Sequence, residues 1–506
     1  MTVSGASDPA TPGPPGLVET HSALIILWGD QAHKVRKPLD LGFLDNTTVE
    51  ARAEQSRREV ELNSRLAPDV YTGVLEVRGP DGEVIDHVVR MRRLPAHRSL
   101  AALVRSRQEG STGDGDPDIV AGIREVARQI DHLHAASPRS EEIDAAGSPA
   151  AVARLWAESL DHLRGLDVGR DAPEIVDDIA ALASGYLRGR APLLRSRVAA
   201  GRVVDGHGDL LAADVYLTDD GPRVIDCLEF DDRLRFGDAM LDIAFLAMDL
   251  DAAGARDLAV VLLEAYRDFS GDDAPPSLVH HYIAYRALVR SKVTAIRAEQ
   301  ADDGAAGGEA RRALVLADRA VDSLLRGRVR LVLVGGVSGS GKSTLAAPLA
   351  EALSAELLRS DVVRGEVAGA APAGDRYSDA AIDAVYTEML TRSAGLLAQG
   401  RTVVLDATWL EPRRRAEAET VAADAHAELV EIACTAPRDE LVRRITARAA
   451  AGADPSEATV EVLDSQLVAT APWPDAIEVD TAGLDARDRA AVHRWAEREL
   501  GPLPWA

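Results

Sequence analysis

The sequence predicts an α+β region that extends to about residue 325, followed by an α/β domain with a parallel sheet. Two patterns indicate these fold classes. Short strand-like runs separated by turn residues precede a long helical stretch, and strands and helices alternate from Gly327 onward. The chain has 506 residues, of which 46% are hydrophobic and 27% charged. This length and composition indicate more than one packed domain.

Charge and cysteine content exclude several classes of protein. The 57 basic and 82 acidic residues give a net charge of −25, which argues against general binding to nucleic acids or anionic membranes. No apolar run reaches the roughly 18 residues that a membrane-spanning helix needs. The chain has two cysteines, Cys227 and Cys434, which are too few for a disulfide framework or a structural zinc cluster. We therefore expect a cytoplasmic protein that does not bind membranes.

The first half of the chain is predicted to begin with a disordered tail over residues 1–16, because MTVSGASDPATPGPPG is rich in proline and glycine and does not resemble a signal peptide. A small α+β lobe then ends near Pro95. Its predicted elements are strands over 23–28 and 32–37, a helix over 47–66, and strands over 70–77 and 84–91. Helices follow to about residue 325, interrupted by one β-like segment over 203–226.

The second half of the chain has the alternating pattern of a parallel sheet. The predicted elements are a strand over 329–334, helices over 342–353 and 379–398, a strand over 402–405, a helix over 413–425 and a strand over 428–434. Because open α/β sheets bind ligands at the carboxyl ends of their strands, we expect the functional residues to follow these strands.

The first of these strands leads into a phosphate-binding motif. GVSGSGKST, residues 336–344, has the spacing G-x-x-x-x-G-K-[ST]. Glycines allow backbone N–H groups to surround phosphate oxygens, Lys342 can reach the β- and γ-phosphates, and Ser343 can bind Mg²⁺. The motif predicts a site for ATP and Mg²⁺ that includes Gly336, Gly339, Ser340, Gly341, Lys342, Ser343 and Thr344.

Three polar residues near the next strand ends are candidates for catalysis. Asp361 follows a short apolar run and is placed to accept the proton of an alcohol, and Arg364 one helical turn later could orient the acceptor. Asp406 closes another predicted strand and could hold Mg²⁺. For each aspartate, the alternative is a helix N-cap.

Two arginines lie further along the chain. Arg444 and Arg448 are four residues apart on a helix predicted over 437–451, just before AGADPSEAT, which could form a lid over ATP. We expect these arginines to stabilise the charge of the transferred group, and the alternative is a solvated helix face.

Three segments together resemble the P-loop small-molecule kinases of the gluconate kinase, zeta toxin and polynucleotide kinase type, over residues 328–480. They are the glycine loop, the SDxxR segment at 360–364 and the DAT segment at 406–408. The resemblance implies phosphoryl transfer from ATP to a hydroxyl group. By this likeness Asp361 is the base that deprotonates the acceptor.

The β-like segment of the first half carries a second group of polar residues. HGDLLAADVYLTDDGPRVID, residues 207–226, brings two carboxylates to one end of a predicted hairpin. Asp209 is placed to accept a substrate proton and Asp226 to hold Mg²⁺, a division that suits phosphoryl transfer. His207 supports the loop, and taken alone it is best interpreted as a structural histidine.

The segments HGDL, IDCLEFDD and GDAMLDIAFLAMDLD resemble the aminoglycoside phosphotransferase and choline kinase family. The resemblance implies a two-lobed protein-kinase-like fold over residues 17–325. It also implies that Lys34 or Lys37 binds phosphate with Glu59 as ion-pair partner, and spacing does not choose between the two lysines.

The same resemblance assigns two further positions. VVRMRRLP, which contains Met91, corresponds to the hinge that accepts adenine, and Asp242 corresponds to the aspartate that supports the catalytic loop. Position 214 departs from the family pattern HGDxxxxN, because Asp214 stands where the family has an asparagine that binds a second Mg²⁺. A carboxylate is a good ligand for a hard cation, but its charge could weaken phosphate binding.

The sequence departs from the family pattern a second time, because the glycine loop that covers the nucleotide is missing before the first predicted strand. Two interpretations of this half therefore stay open, an active kinase and a lobe that only binds its ligand. The whole chain resembles a bacterial fusion, with a tail over 1–16, an aminoglycoside phosphotransferase-like domain over 17–325 and a P-loop kinase domain over 327–506. We predict a bifunctional Mg²⁺-ATP-dependent phosphotransferase that acts on hydroxyl groups of small molecules. The alternative is a regulatory ATP-binding protein, and the sequence names neither the acceptor nor the oligomeric state.

Lysine is scarce in this chain, since only residues 34, 37, 292 and 342 among the 57 basic positions are lysines. Arginine is a planar fork and lysine a compact point charge, so we expect the retained lysines to mark sites that require an ammonium group. Lys292 matches no nucleotide motif. We expect it to bind an anionic group on the acceptor or an acidic loop, with a solvated surface lysine as the alternative.

Overall fold

The computed structural model describes residues 15–20, 22–40, 45–111, 113, 115–368, 378–451 and 459–505. The strands are β1 (Gly16–Glu19), β2 (Ala23–Trp28), β3 (Gln31–Arg36), β4 (Tyr71–Arg78), β5 (Val84–Arg92), β6 (Val203–Asp205), β7 (Val215–Thr218), β8 (Gly221–Val224), β9 (Phe236–Asp238), β10 (Arg330–Gly335), β11 (Glu356–Arg359), β12 (Val403–Asp406), β13 (Glu428–Thr435) and β14 (Ile477–Asp480).

The helices are α1 (Val49–Asn63), α2 (Leu100–Gln108), α3 (Ile119–Ala135), α4 (Glu141–Ala146), α5 (Pro149–Gly165), α6 (Asp167–Asp171), α7 (Pro173–Gly189), α8 (Ala191–Ala199), α9 (Ala239–Ala252), α10 (Arg256–Ser270), α11 (Pro276–Gln300), α12 (Asp303–Arg326), α13 (Lys342–Ala352), α14 (Ser360–Ala368), α15 (Asp379–Ala398), α16 (Pro412–Asp424), α17 (Arg438–Ala451), α18 (Val460–Ala469) and α19 (Arg489–Leu500). Within the described ranges, no helix is both long and apolar enough to cross a membrane.

The chain folds into two compact units, and neither unit is a continuous stretch of sequence. The first unit comprises Met1–Gly147 and Ala200–Asp273, and the second comprises Ser148–Ala199 and Ala274–Ala506. The division at 325–327 that the family resemblances imply therefore falls inside the second unit. Helices α5 to α8, α11 and α12 pack with the second half of the chain.

The first unit contains an antiparallel sheet in the order β1-β2-β3-β5-β4. Helix α1 packs on this sheet, and its N-cap residue Thr48 accepts a hydrogen bond through its hydroxyl from the Ala51 N–H at 3.1 Å. Strand β1 pairs with β2, so the sheet has one more strand at its edge than the sequence predicts. Gly16, which the sequence places in the tail, is the first residue of β1, and residues 1–14 lie outside the described part of the chain.

The predicted β-like segment of the first unit is confirmed as two small antiparallel ribbons. Strand β7 pairs with β8, and β6 pairs with β9, which lies beyond the predicted range. The hairpin of β7 and β8 brings the residues on either side of it together, since the Ile225 N–H donates to the Asp214 carbonyl at 3.0 Å.

The predicted parallel sheet of the second unit is also confirmed, with the order β11-β12-β10-β13-β14. The central strand β10 is buried at every position because helices cover both faces. Leu331 and Leu333 pack with α15 and α16 on one face, while Val332 and Val334 pack with α13 and α19 on the other. Strand β14 at the edge is not predicted by the sequence.

Candidate active sites

The loop between β10 and α13 has the backbone shape of a phosphate-binding loop. Gly336 and Gly341 have φ values of 137° and 86°, which side chains other than glycine rarely adopt. A Cβ atom at Gly336 would lie 2.5 Å from the Cys434 carbonyl oxygen, so the loop passes too close to β13 for any larger residue. Lys342 begins α13 directly after the loop, at the positive end of the helix dipole.

The loop and the adjacent end of β12 contain polar groups that have no partner within the described residues. The Ser340 hydroxyl and Asp406 Oδ1 are buried there without a hydrogen bond, and the Lys342 ammonium forms no ion pair in the same part of the chain. Unpaired buried polar groups are costly, and a bound nucleotide with Mg²⁺ satisfies groups of this kind. These residues therefore fit the predicted ATP and Mg²⁺ site, with Ser343 and Thr344 in the first turn of α13.

Asp406 lies next to the phosphate-binding strand. It ends β12, where it is in register with Val334 of β10, and its Oδ2 accepts from Arg359 Nε at 3.3 Å. Arg359 ends β11 and is in register with Asp406. One carboxylate oxygen is thus held by an arginine while Oδ1 has no partner in the described residues, an arrangement that fits a Mg²⁺ ligand or an acceptor of a metal-bound water.

The structure brings Asp361 and Arg364 together. Asp361 lies in the first turn of α14, two residues after β11, and its Oδ1 accepts from an Arg364 nitrogen at 2.7 Å. Both side chains are partly exposed, at 25% and 20%. Arg364 therefore orients the carboxylate, and Asp361 stays reachable from solvent.

Arg444 packs against the phosphate-binding loop. Its guanidinium donates to the Thr481 hydroxyl at 2.8 Å and to the Gly339 carbonyl at 3.3 Å, and it pairs with Glu440 at 2.6 Å. The Thr481 hydroxyl in turn donates to the Ser340 carbonyl at 2.7 Å. In this arrangement Arg444 supports the loop from the side, and its action on transferred charge stays a prediction.

Arg448 has one buried guanidinium nitrogen without a hydrogen bond to any described residue. Residues 452–458, most of the predicted lid AGADPSEAT, lie outside the described residues. Helix α18 follows, and its Gln466 side-chain oxygen accepts from the Ser338 N–H of the loop at 2.7 Å. Sequence reasoning missed Thr481 and Gln466 because both are common surface residue types outside any motif.

In the first unit, the structure distinguishes the two candidate lysines. Lys34 Nζ lies 2.8 Å from Glu59 Oε1 and 3.4 Å from Asp226 Oδ1. Lys37 instead pairs with Glu19 at 2.5 Å, away from these carboxylates. The structure thus brings Lys34, and not Lys37, into contact with Glu59 and Asp226, and the phosphate- and Mg²⁺-binding roles stay predictions.

Arg36 is part of the same charge cluster and was missed from the sequence. Its guanidinium, 1% exposed, binds Glu59 Oε2 at 2.6 Å and Glu229 Oε1 at 2.9 Å. The alternation of a strand places Lys34 and Arg36 on one face, a signal that could have identified Arg36 and favoured Lys34. Two cations thus share the buried Glu59 carboxylate.

Asp226 has an unusual backbone conformation and an exposed carboxylate. Its φ is 63°, rare for a residue other than glycine and typical of strained functional positions, and its side chain is 52% exposed. The Lys34 ammonium holds the pKa of the Asp226 carboxyl below its usual range. Burial opposes the charge on Lys34, but Glu59 and Asp226 outweigh it and raise the pKa of the lysine. Both groups are therefore charged at neutral pH.

The HGD loop, residues 207–209, is anchored by Asp242. This carboxylate accepts from the His207 N–H at 2.6 Å, from the Gly208 N–H at 2.9 Å and from the His134 ring at 3.1 Å. The His207 ring is fully buried and its Nε2 donates to the Ile225 carbonyl at 3.1 Å, while burial lowers the pKa of His207. His207 is therefore a neutral structural histidine in the loop that carries Asp209.

Asp214 directly precedes β7 and Asp226 follows β8, so both residues lie at the open end of the β7–β8 hairpin. Burial raises the pKa of Tyr216, and the charges of Asp214 and Asp226 raise it further. No cluster of three or more metal-ligating side chains occurs in the described ranges. Mg²⁺ bound with a nucleotide needs only one or two carboxylates beside the phosphates, so Asp214 and Asp226 fit such a site.

Met91 and Lys292 are two further residues that the sequence analysis singled out. Met91 is buried in the core of the first sheet, in register with Ala32, so only its backbone could contact a nucleotide at the hinge. Lys292 lies on α11 in the second unit, half-buried, with Nζ 3.4 Å from the Ser159 hydroxyl. Burial lowers the pKa of Lys292, although Glu158 opposes this effect.

These features define a protein that combines in one chain an α/β domain with a phosphate-binding loop and a first unit in which Lys34, Glu59 and Asp226 form one charge cluster. Residues 331–472 match the family described as AAA domain. The chain is 40% identical over 486 residues to Uncharacterized protein Rv2004c of Mycobacterium tuberculosis and to Uncharacterized protein Mb2027c of Mycobacterium bovis, with 94% of each chain covered. The chain belongs to the family of these mycobacterial proteins.

Solved structures are similar to parts of this chain. A choline/ethanolamine kinase family protein from Mesorhizobium loti is 18% identical and covers 62% of this chain and 92% of its own, with a TM-score of 0.36. The Mycobacterium tuberculosis APS kinase CysC is 24% identical and covers 34% of this chain and 98% of its own, with a TM-score of 0.25.

Proposed function

We propose that this protein is a bifunctional Mg²⁺-ATP-dependent phosphotransferase that acts on hydroxyl groups of small molecules. The proposal rests on one observation, that each compact unit brings a lysine and a carboxylate of the predicted sites into one region of its fold. Lys34 lies 3.4 Å from Asp226 in the first unit. In the second unit Lys342 follows a glycine loop next to the strand that Asp406 ends.

The chain's own residues divide the work of phosphoryl transfer. Lys342 and the loop N–H groups bind the phosphates in one unit, and Lys34 binds them in the other. Asp406 and Asp226 would hold Mg²⁺, which would neutralise phosphate charge. Asp361 and Asp209 each accept the proton of an acceptor hydroxyl as its oxygen bonds to the γ-phosphorus of ATP, while the bond from that phosphorus to the bridging oxygen breaks and ADP leaves. Arg364 orients Asp361 through their 2.7 Å contact.

The acceptor is a small molecule with a hydroxyl group, and nucleic acids and membranes are not partners in this proposal. We place the protein in the cytoplasm, because Cys227 and Cys434 are buried free thiols, which fit a reducing compartment.

Acceptor-dependent ADP release from the full chain tests the proposal, with sugars, nucleosides and aminoglycosides as acceptors. The full chain is needed because a cut at residue 326 divides the second unit. Activity with one acceptor that is lost in Asp361→Asn, and activity with another that is lost in Asp209→Asn, is the expected result. ATP binding without any acceptor-dependent turnover would instead identify a regulatory ATP-binding protein.

A further inference from the structure

The turn that follows β12 contains a residue in a strained backbone conformation. Trp409 has a φ of 52°, which a residue other than glycine rarely adopts, and its side chain is fully buried. Such a conformation persists only where the surrounding contacts fix it, and conformations of this kind are found mainly at functional sites. Asp406, the predicted Mg²⁺ ligand, ends β12 three residues earlier, so the strained turn begins at the metal site.

The same turn contacts the start of the glycine loop. The Gly336 N–H donates to the Thr408 carbonyl at 3.0 Å. A Cβ atom at Gly335 would lie 3.1 Å from the Cβ of Trp409, so the turn packs tightly against the end of β10. A shift of this turn would therefore displace both the Asp406 carboxylate and the first glycine of the loop.

Tyr386 on α15 holds the turn through its hydroxyl group. The phenol oxygen accepts from the Trp409 N–H at 3.3 Å and lies 3.1 Å from the Thr408 hydroxyl. The Tyr386 ring packs edge-on against the Trp409 indole, with centroids 5.0 Å apart. Because Tyr386 is buried, one hydroxyl in the protein interior bonds to two successive residues of the turn.

Arg414 on α16 holds the Tyr386 ring in place. Its guanidinium lies 4.3 Å from the centroid of the ring and pairs with Asp383 at 3.3 Å and with Glu411 at 3.1 Å. Asp383 precedes Tyr386 by three residues on α15, so the two side chains share one face of that helix. The orientation of the phenol is thus fixed by residues of the protein itself.

We propose that Tyr386 is a positioning residue for the Mg²⁺-ATP site of the second unit. Its hydroxyl keeps the turn over residues 406–409 in the strained form that places Asp406 and Thr408 beside the glycine loop. The inference rests on the proposed function, because it assumes that this unit binds Mg²⁺-ATP. The alternative is a purely structural tyrosine, whose loss would lower the melting temperature without changing the response to Mg²⁺.

The test titrates full-length Asp226→Ala protein with a non-hydrolysable ATP analogue at increasing Mg²⁺ concentrations, so that the second unit provides the remaining site. Tyr386→Phe keeps the ring and removes the hydroxyl, which leaves the buried Trp409 N–H unpaired. We expect the Mg²⁺ concentration for half-maximal binding to rise about threefold to tenfold, the usual effect of one lost hydrogen bond. Thr408→Val removes the partner hydroxyl and should change the Mg²⁺ requirement in the same direction.

Tyr285→Phe is the matched control in the same background. Tyr285 is also buried in the second unit, but its hydroxyl bonds to Ser159 and its ring contacts Trp156 on α5. This variant should leave the Mg²⁺ requirement unchanged, whatever its melting temperature.

The proposal is overturned if Tyr386→Phe leaves the Mg²⁺ requirement unchanged, or if Tyr285→Phe raises it equally. If Tyr386→Phe does not fold, Thr408→Val decides in its place, and an unchanged Mg²⁺ requirement in that variant overturns the proposal. Failure of the proposed function gives a different result, because the Asp226→Ala parent would then bind no nucleotide at any Mg²⁺ concentration.

Discussion

Lys34 and Glu59 form a buried ion pair at 2.8 Å, with side chains 12% and 1% exposed. The pair links β3 to α1 and points the lysine toward Asp226, 3.4 Å away. Because Arg36 also binds Glu59, the carboxylate stays compensated even without the lysine. The lysine can thus be removed without leaving an uncompensated buried charge.

Lys34→Ala should weaken ATP binding by the first unit, whereas Lys37→Ala should leave it unchanged. A hydrogen bond to a charged group contributes about 1.5–3 kcal/mol, so the loss should be about tenfold or more. Lys37 is a matched control because it pairs only with Glu19 among the described acidic residues. Calorimetric titration in a Lys342→Ala background isolates this site, and equal effects of both variants would contradict the assignment of Lys34.

Asp226→Ala should abolish Mg²⁺-dependent nucleotide binding by the first unit, while Asp214→Asn should retain or improve it. Asp226 is the carboxylate beside Lys34, and Asp214→Asn removes one negative charge near the phosphates. Titrations with and without Mg²⁺ measure both effects. Loss of binding in Asp214→Asn would show that the carboxylate at 214 is a required metal ligand.

Asp361→Asn should preserve ATP affinity and lower acceptor phosphorylation by about 10²- to 10⁴-fold, the usual effect of losing a general base. Glu366→Gln on the same helix is the control, since Glu366 pairs with Arg392 on the surface. Steady-state rates of ADP formation give the comparison. Unchanged turnover in Asp361→Asn would assign the residue to helix capping.

Asp242→Asn should destabilise the first unit by about 1–3 kcal/mol at pH 7, because it leaves an N–H of the HGD loop unpaired. Burial alone would raise the pKa of Asp242, but hydrogen bonds and the neighbouring histidines hold it well below its usual range. Its stabilisation is therefore full above the unfolded-state pKa of about 3.9 and is lost as the pH falls further.

Urea unfolding at pH 7 and pH 3 measures this difference. The gap between wild type and Asp242→Asn should shrink at pH 3. A gap that is equally large at both pH values would show that the carboxylate charge does not contribute to the anchoring of the loop.

The glycine loop could be predicted because strand, loop and helix are adjacent in sequence, and the predicted helix over 342–353 differs from α13 by one residue at its end. Asp361 and Arg364 were found for the same reason, as close neighbours on one helical turn. The contact between Arg444 and Thr481 could not be predicted, because it joins residues 37 positions apart that share no motif.

The sequence also could not predict which helices belong to each of the two compact units. Helical patterns predict that α5 and α11 form, but their partners depend on long-range packing, such as the contact of Trp156 with His281 across 125 positions. The spacing of the family motif does not show whether Lys34 or Lys37 is the phosphate-binding lysine. Only the pairing of Lys34 with Glu59 in the folded sheet separates them.

The number of nucleotide sites is the most direct test of the central claim. Calorimetric titration of the full chain with a non-hydrolysable ATP analogue and Mg²⁺ should give two equivalents bound in wild type and one in Lys342→Ala, and the remaining site should bind about tenfold or more weakly in Lys34→Ala/Lys342→Ala. A single equivalent in wild type, or no residual site in Lys342→Ala, would contradict the claim that each unit binds ATP on its own.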